Sequence, residues 1–207
     1  MGAQVRRRDD GALELRVGGV FVMDDVETGS ERLLARAVLD AGARDVLVGG
    51  LGLGFTLAEL LADPDLTRAT VVELEPDLVA WMRDGTVPGA ELLADPRCVV
   101  EVDDVRRAVT SRPARDLDAI CLDVDNGPDF LVHETNAAVY GTDFVTTCAD
   151  RLRDDGVLAV WSMADSPPLR STLSAAFADV AVTEHPVRLQ GRQESYWVFA
   201  ARGPRRA

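Results

Sequence analysis

The sequence contains no lysine; all 22 of its basic residues are arginine. That excludes Schiff-base chemistry and a lysine-dependent phosphate loop. Histidine is almost missing too, with two residues, and the three cysteines (Cys98, Cys121 and Cys148) lie far apart in apolar surroundings. Such a set builds neither a zinc cluster nor a disulfide framework, so no metal site is expected. The thiols read as reduced core residues of a cytoplasmic protein. No apolar run nears the roughly 20 residues of a membrane helix, which speaks against a membrane partner. The first ten residues carry arginine at 6–8 without an apolar stretch behind them, unlike a secretory signal. Positive charge is outweighed throughout, and a net charge of −13 argues against a nucleic-acid partner.

What is present suits one well-filled core: 207 residues, 47% hydrophobic and 28% charged. Gly18-Gly19 between two alternating runs, Leu13 to Val17 and Val20 to Met23, predicts a β-hairpin. Residues 1–27 therefore read as an N-terminal hairpin extension, and 28–207 as the main domain. Thr28 or Ser30 can cap a helix to about Asp40, with Leu33, Leu34, Ala37 and Val38 inward. Strands then alternate with helices: Val46 to Val48, Ala69 to Leu74, Cys98 to Val102, Leu117 to Leu122 and Gly156 to Trp161. Between them lie helices near Phe55 to Leu61, from Pro76, Val105 to Val109, Asp143 to Leu152 and Leu169 to Phe177. Val180 to Glu184 and Ser195 to Ala200 close the sheet as an antiparallel pair. This pattern predicts an α/β fold, a doubly wound, mostly parallel seven-stranded sheet covered on both faces. The arginine-bearing ends are expected to fray.

Ligands of open α/β sheets bind at the carboxyl ends of the strands, and four polar features fall there. The first is Asp45-Val46-Leu47-Val48-Gly49-Gly50-Leu51-Gly52-Leu53-Gly54, a strand running into a glycine turn that opens a helix. Gly50, Gly52 and Gly54 let backbone approach a nucleotide, though glycine also serves plain turns. The second, Glu73, sits where a carboxylate takes two ribose hydroxyls; a solvated strand-end glutamate is the alternative. The third, Asp103-Asp104, can accept an adenine amino group, whereas Asp104 can equally be an N-cap. The fourth is Asp123-Val124-Asp125-Asn126-Gly127-Pro128, whose Asp123 and Asp125 can orient or deprotonate an amine. A turn built of these residue types is the rival reading. His133 lies in the following loop, and Trp161 either lines an acceptor pocket or fills the core.

These four stretches together resemble the spermidine synthase-like family, aminopropyltransferases and relatives built on the class I methyltransferase fold. The resemblance runs from the Leu13 hairpin to the Tyr196 strand. It implies a transferase binding S-adenosylmethionine or its decarboxylated form, and a small-molecule acceptor such as an amine. Gly50, Gly52 and Gly54 would border the methionine-like part of that cofactor, Glu73 the ribose and Asp104 the adenine. Asp123 takes the place of the catalytic aspartate, Asp125 approximates a second one, Tyr140 resembles an aromatic after the gatekeeping loop, and a homodimer is implied. Departures are specific. Leu53 stands where the family has an aspartate for the cofactor's amine, Val22 replaces a glutamine, and a Tyr-His pair is missing from Thr28 to Leu34. They weigh against authentic spermidine synthesis and leave two alternatives, a methyltransferase and a non-catalytic nucleoside-binding scaffold.

Overall fold

The computed structural model describes residues 2–124, 126–131, 134–189 and 192–206. Its first element is a three-stranded antiparallel sheet, β1 (Ala3–Arg7), β2 (Leu13–Val17) and β3 (Val20–Asp24). Gly18 and Gly19 both take positive φ (58° and 83°), as the two-residue turn between β2 and β3 requires. One strand more than the expected hairpin is present, and the N-terminal arginines hold it. Glu14, only 4% exposed, lies within ion-pairing distance of Arg6, Arg8 and Arg16, and Arg8 also reaches Asp24 at 2.7 Å. The C-terminal end is pinned in the same way: Arg205 donates to the Phe177 carbonyl at 2.9 Å and Arg206 to the Leu152 carbonyl at 2.7 Å. Fraying at the described ends is thus overturned by side-chain pairing that a charge count does not reveal.

Helix α1 (Gly29–Leu39) leads into β4 (Asp45–Gly49), α2 (Phe55–Ala62), β5 (Arg68–Glu73), α3 (Pro76–Asp84) and the short α4 (Ala90–Leu93). The chain continues through β6 (Cys98–Val102), α5 (Val105–Ser111), β7 (Leu117–Leu122), a 3-10 turn (Glu134–Tyr140) and α6 (Thr142–Arg151). It ends with β8 (Leu152–Ser162), α7 (Pro167–Ala176), β9 (Phe177–Leu189) and β10 (Arg192–Pro204). The seven-stranded sheet has the order β6-β5-β4-β7-β8-β10-β9, parallel from β6 through β8, with β10 antiparallel to both its neighbours. Along β4, Val46 and Val48 enter one apolar cluster and Leu47 the other, so each face of the sheet has its own core. No helix among the described residues is long and apolar enough to cross a membrane.

Strand order reverses between β4 and β7, and there the two strand ends touch. The Asp123 N–H donates to Gly49 O, while on the other side of β4 the Gly50 N–H donates to Val72 O of β5, both at 2.8 Å. A Cβ on Gly50 would stand 2.0 Å from the Asp123 carbonyl oxygen, in a backbone with φ of 93°. Gly50→Ala is therefore expected to cost about 3 kcal/mol or more in urea unfolding. Gly42→Ala is the control, because it shares a left-handed φ (87°) with nothing within 4 Å of its Cβ, and should cost about 1 kcal/mol.

Candidate functional site

A cleft of about 1000 Å³, its open mouth included, lies over the carboxyl ends of β4, β5, β6 and β7. Leu15, Val17, Val22 and Met23 of the N-terminal sheet roof it, so this sheet closes one side. Leu74, Leu78, Val105 and Val124 supply further apolar wall, and Leu74 is 50% exposed, a large apolar side chain without a cover. The polar wall is one-sided. Glu31, Glu73, Glu75, Asp103, Asp104 and Asp123 line the cleft, with no arginine or histidine among the described lining residues. In a partly dry cavity that field favours cations and opposes anions.

Gly50 and Gly52 line the cleft. Gly54 does not; it is the left-handed residue before α2, and a Cβ there would meet Leu92 and Met82 at 3.2 and 3.3 Å. Its glycine serves helix entry and packing. Leu53 is also turned inward, 5% exposed in the first core cluster. The loop amides are already engaged: Gly50 N–H with Val72 O, Leu51 N–H with Glu73 Oε2 at 2.7 Å, Leu53 N–H with Met23 Sδ at 3.3 Å, and Gly54 N–H with Leu51 O. A glycine turn with free N–H groups makes an anion cradle; this one has spent four of them on the protein.

Glu73 ends β5 with its carboxylate 93% buried by the loops around it (7% exposed). Its Oε2 accepts from Leu51 and its Oε1 from the Glu75 N–H at 2.8 Å. Burial pushes its pKa up, against the pull of these backbone donors. Each oxygen retains an acceptor site, so Glu73 can clamp the glycine loop and still receive two hydroxyls. Asp103 and Asp104 follow β6. Asp104 is the N-cap of α5, accepting the Arg106 N–H at 2.8 Å, and its carboxylate pairs with the Arg106 guanidinium at 2.6 Å. Asp103 accepts the Asp104 N–H and pairs with Arg107. Those arginines hold both carboxyls below the usual range. The N-cap reading of Asp104 is shown, and the same residue also lines the cleft.

Asp123 leaves β7 at the centre of the site. The Thr56 hydroxyl, in the first turn of α2, donates to its Oδ2 at 2.8 Å. Burial lifts its pKa to about 6, with the Glu73 charge adding to the rise and the Thr56 bond opposing it. Asp125 and His133 lie outside the described residues. Trp161 lines the cleft, with Tyr196 packed on it at a ring separation of 4.9 Å. Tyr140 is buried in the second core cluster instead, and His185 faces Glu27 at 3.4 Å.

Sequence reasoning missed Glu31, Asn126 and Asn136, all on the cleft wall. Glu31 is 6% exposed and receives the Ser30 hydroxyl at 2.7 Å. Burial first, and then the negative charge of Asp123, push its pKa up to about 7. The signal was present in the heptad spacing. The buried stripe of α1 is Glu31, Leu34, Ala35 and Val38, the i, i+3, i+4, i+7 face, while Leu33 and Ala37 are only partly buried. A glutamate opening an apolar stripe is a carboxyl carried inward.

Comparisons with known proteins agree with this architecture. A model of the spermine/spermidine synthase domain matches residues 31–179. Polyamine aminopropyltransferase 2 of Pseudomonas aeruginosa is 34% identical over 149 residues, 66% of this chain and 40% of that protein. A polyamine aminopropyltransferase of Mycobacterium tuberculosis is 34% identical over 158 residues, 75% of this chain and 29% of that protein. The chain thus spans well under half the length of these curated relatives. A crystal structure of spermidine synthase in complex with the transition-state analogue AdoDATO superposes with a TM-score of 0.81 at 18% identity, covering 96% of this chain and 69% of that one.

Proposed function

Because this chain belongs to the spermine/spermidine synthase domain family, we propose that it is an aminopropyltransferase using decarboxylated S-adenosylmethionine and a small amine acceptor. The observation that carries this reading is the one-sided charge of the cleft: no cationic side chain is among its described lining residues, and of six carboxylates only Asp103 and Asp104 are paired, with Arg107 and Arg106 outside the lining. When bound, the donor supplies an alkyl carbon activated by a neighbouring sulfonium. The residues present fit such a molecule, which is cationic at sulfur and at its amine and carries no carboxylate. S-adenosylmethionine itself brings a carboxylate into the same field, where four loop amides are already engaged. The methyltransferase alternative is thereby the less favoured one, since Gly52 alone of the loop residues from 50 to 54 keeps an amide without a bond to the protein.

In this reading Glu73 receives the ribose hydroxyls on the acceptor sites its backbone bonds leave open. Asp104 stands near the adenine end, with Leu74 and Val105 as apolar faces. Gly50 and Gly52 border the sulfonium side. Asp123 holds the acceptor amine and removes its proton, a task suited to a carboxyl whose proton affinity burial has raised toward neutrality. Asp125, next along the same loop, is the second carboxylate of the proposal.

Calorimetry against three nucleosides tests the reading. Decarboxylated S-adenosylmethionine should bind at least about tenfold more tightly than S-adenosylmethionine, a difference of about 1.4 kcal/mol, with methylthioadenosine in between. Mass spectrometry of reactions with a panel of mono- and diamines then identifies the acceptor. Equal or tighter binding of S-adenosylmethionine overturns the donor assignment, and no binding of any nucleoside leaves the scaffold reading in place of the enzyme.

A further inference from the structure

We propose that Glu31 and Asp123 form a carboxyl pair that holds one proton in the free protein and exchanges it for the ammonium group of the acceptor. The identity of the acceptor rests on the aminopropyltransferase reading; the pairing stands on the geometry of the cleft. Two elements distant in sequence, the first turn of α1 and the end of β7, deliver these groups to one wall. Thr56 touches both residues, its Oγ1 2.8 Å from Asp123 Oδ2 and 3.4 Å from the Glu31 backbone carbonyl oxygen. Around Glu31 stand Ser30 on its own helix, Glu27 in the preceding segment and Tyr196 from β10. Asp123 faces Thr56 and Glu73, with Cys121 beneath it on β7. His185 of β9 also packs at the start of α1, where it faces Glu27 at 3.4 Å; the other charged neighbours in that set are acidic.

Two carboxyls on one wall, Glu31 buried and Asp123 half-buried, with no cationic side chain among the described lining residues, cannot both ionise cheaply. The raised proton affinities of both agree with that, and they belong to the pair rather than to either residue. The free pair with one proton carries a charge of −1. An entering ammonium brings +1 and the proton leaves to solvent, so the doubly ionised pair with its ammonium again totals −1. Burial of charge is thereby unchanged on binding, which makes the seat selective for a protonated amine over a neutral alcohol of the same size. The sign of the pH dependence follows. Protons compete with the amine, so acceptor affinity rises as pH climbs through the range in which the pair titrates and levels off above it.

The test is calorimetry of putrescine binding to the full chain saturated with methylthioadenosine, in two buffers of different ionisation enthalpy, at a pH inside that range. Wild type should release close to one proton per amine bound. Glu31→Gln, which removes the member of the pair that keeps its proton to the higher pH, should release at least about threefold less. Thr56→Val removes a donor from Asp123 and should shift the release to higher pH. Wild type that releases no proton, or Glu31→Gln that releases as many as wild type, overturns the pair. If no amine binds, the functional reading fails and the pair is judged by carboxyl ¹³C NMR. The Glu31 signal must then titrate at lower pH in Asp123→Asn, and an unmoved Glu31 titration overturns the proposal.

Discussion

Asp123→Asn is expected to lower the turnover of amine transfer by about two to four orders of magnitude, the range over which a positioned base contributes. The substitution removes the one property the reaction needs, a site that can take a proton, while keeping shape. An asparagine carbonyl still accepts the Thr56 hydroxyl, so the bond that fixes this side chain at 2.8 Å survives. The backbone contacts at the switch point, Asp123 N–H to Gly49 O and the close approach to Gly50, are untouched. Donor affinity should therefore stay within about threefold, because the change is felt at the acceptor end. Steady-state kinetics at saturating donor, together with calorimetry of the donor alone, check both halves. A turnover within about tenfold of wild type would remove Asp123 from the chemistry. A parallel collapse of donor affinity would instead make it part of the donor seat.

The prominence of Asp123 could be seen in the sequence because the physics of an open parallel sheet is restrictive. A carboxylate immediately after a buried run such as Leu117 to Leu122 has to emerge at the strand's carboxyl end, and the glycine turn after β4 has to emerge beside it. Asp104 was ambiguous in the sequence; the structure makes it the N-cap of α5, and the same residue also lines the cleft. Two things were hidden. Glu31 reaches the site from α1, which packs on β7, β8 and β10, and a stripe scored on apolar residues alone passes over it. The N-terminal strand β1 was hidden for the opposite reason: Arg6 and Arg8 read as solvated charge until Glu14 and Asp24, buried opposite them, are placed by the fold. Leu53 shows a third limit. Position in a motif located it in the loop, but only packing shows that it points into the core, where an aspartate would bury its charge against Leu51 and its neighbours.

Glu73 carries the other large effect, and its two roles make the simple experiment uninformative. Alanine at 73 would strip acceptors from the Leu51 and Glu75 N–H groups, disorder the glycine loop and abolish binding whether or not the ribose is touched. Glu73→Gln is the sharper variant. Its amide oxygen keeps one backbone donor, while its NH₂ opposes the other N–H and offers the ribose a donor in place of an acceptor. Donor and methylthioadenosine should both lose about 100-fold in affinity, about 2.7 kcal/mol, with about 1 to 2 kcal/mol lost from stability. Part of that loss is the loosened clamp, so a second axis is needed. Methylthioadenosine lacking its 2′-hydroxyl, measured against wild type and Glu73→Gln, completes a double-mutant cycle in which the clamp contribution cancels. A ribose contact predicts a coupling of about 1 to 2 kcal/mol, the deoxy ligand losing affinity for wild type but little more for the variant. Additive losses would confine Glu73 to holding the loop, and the ribose would then have to be sought elsewhere on the cleft wall.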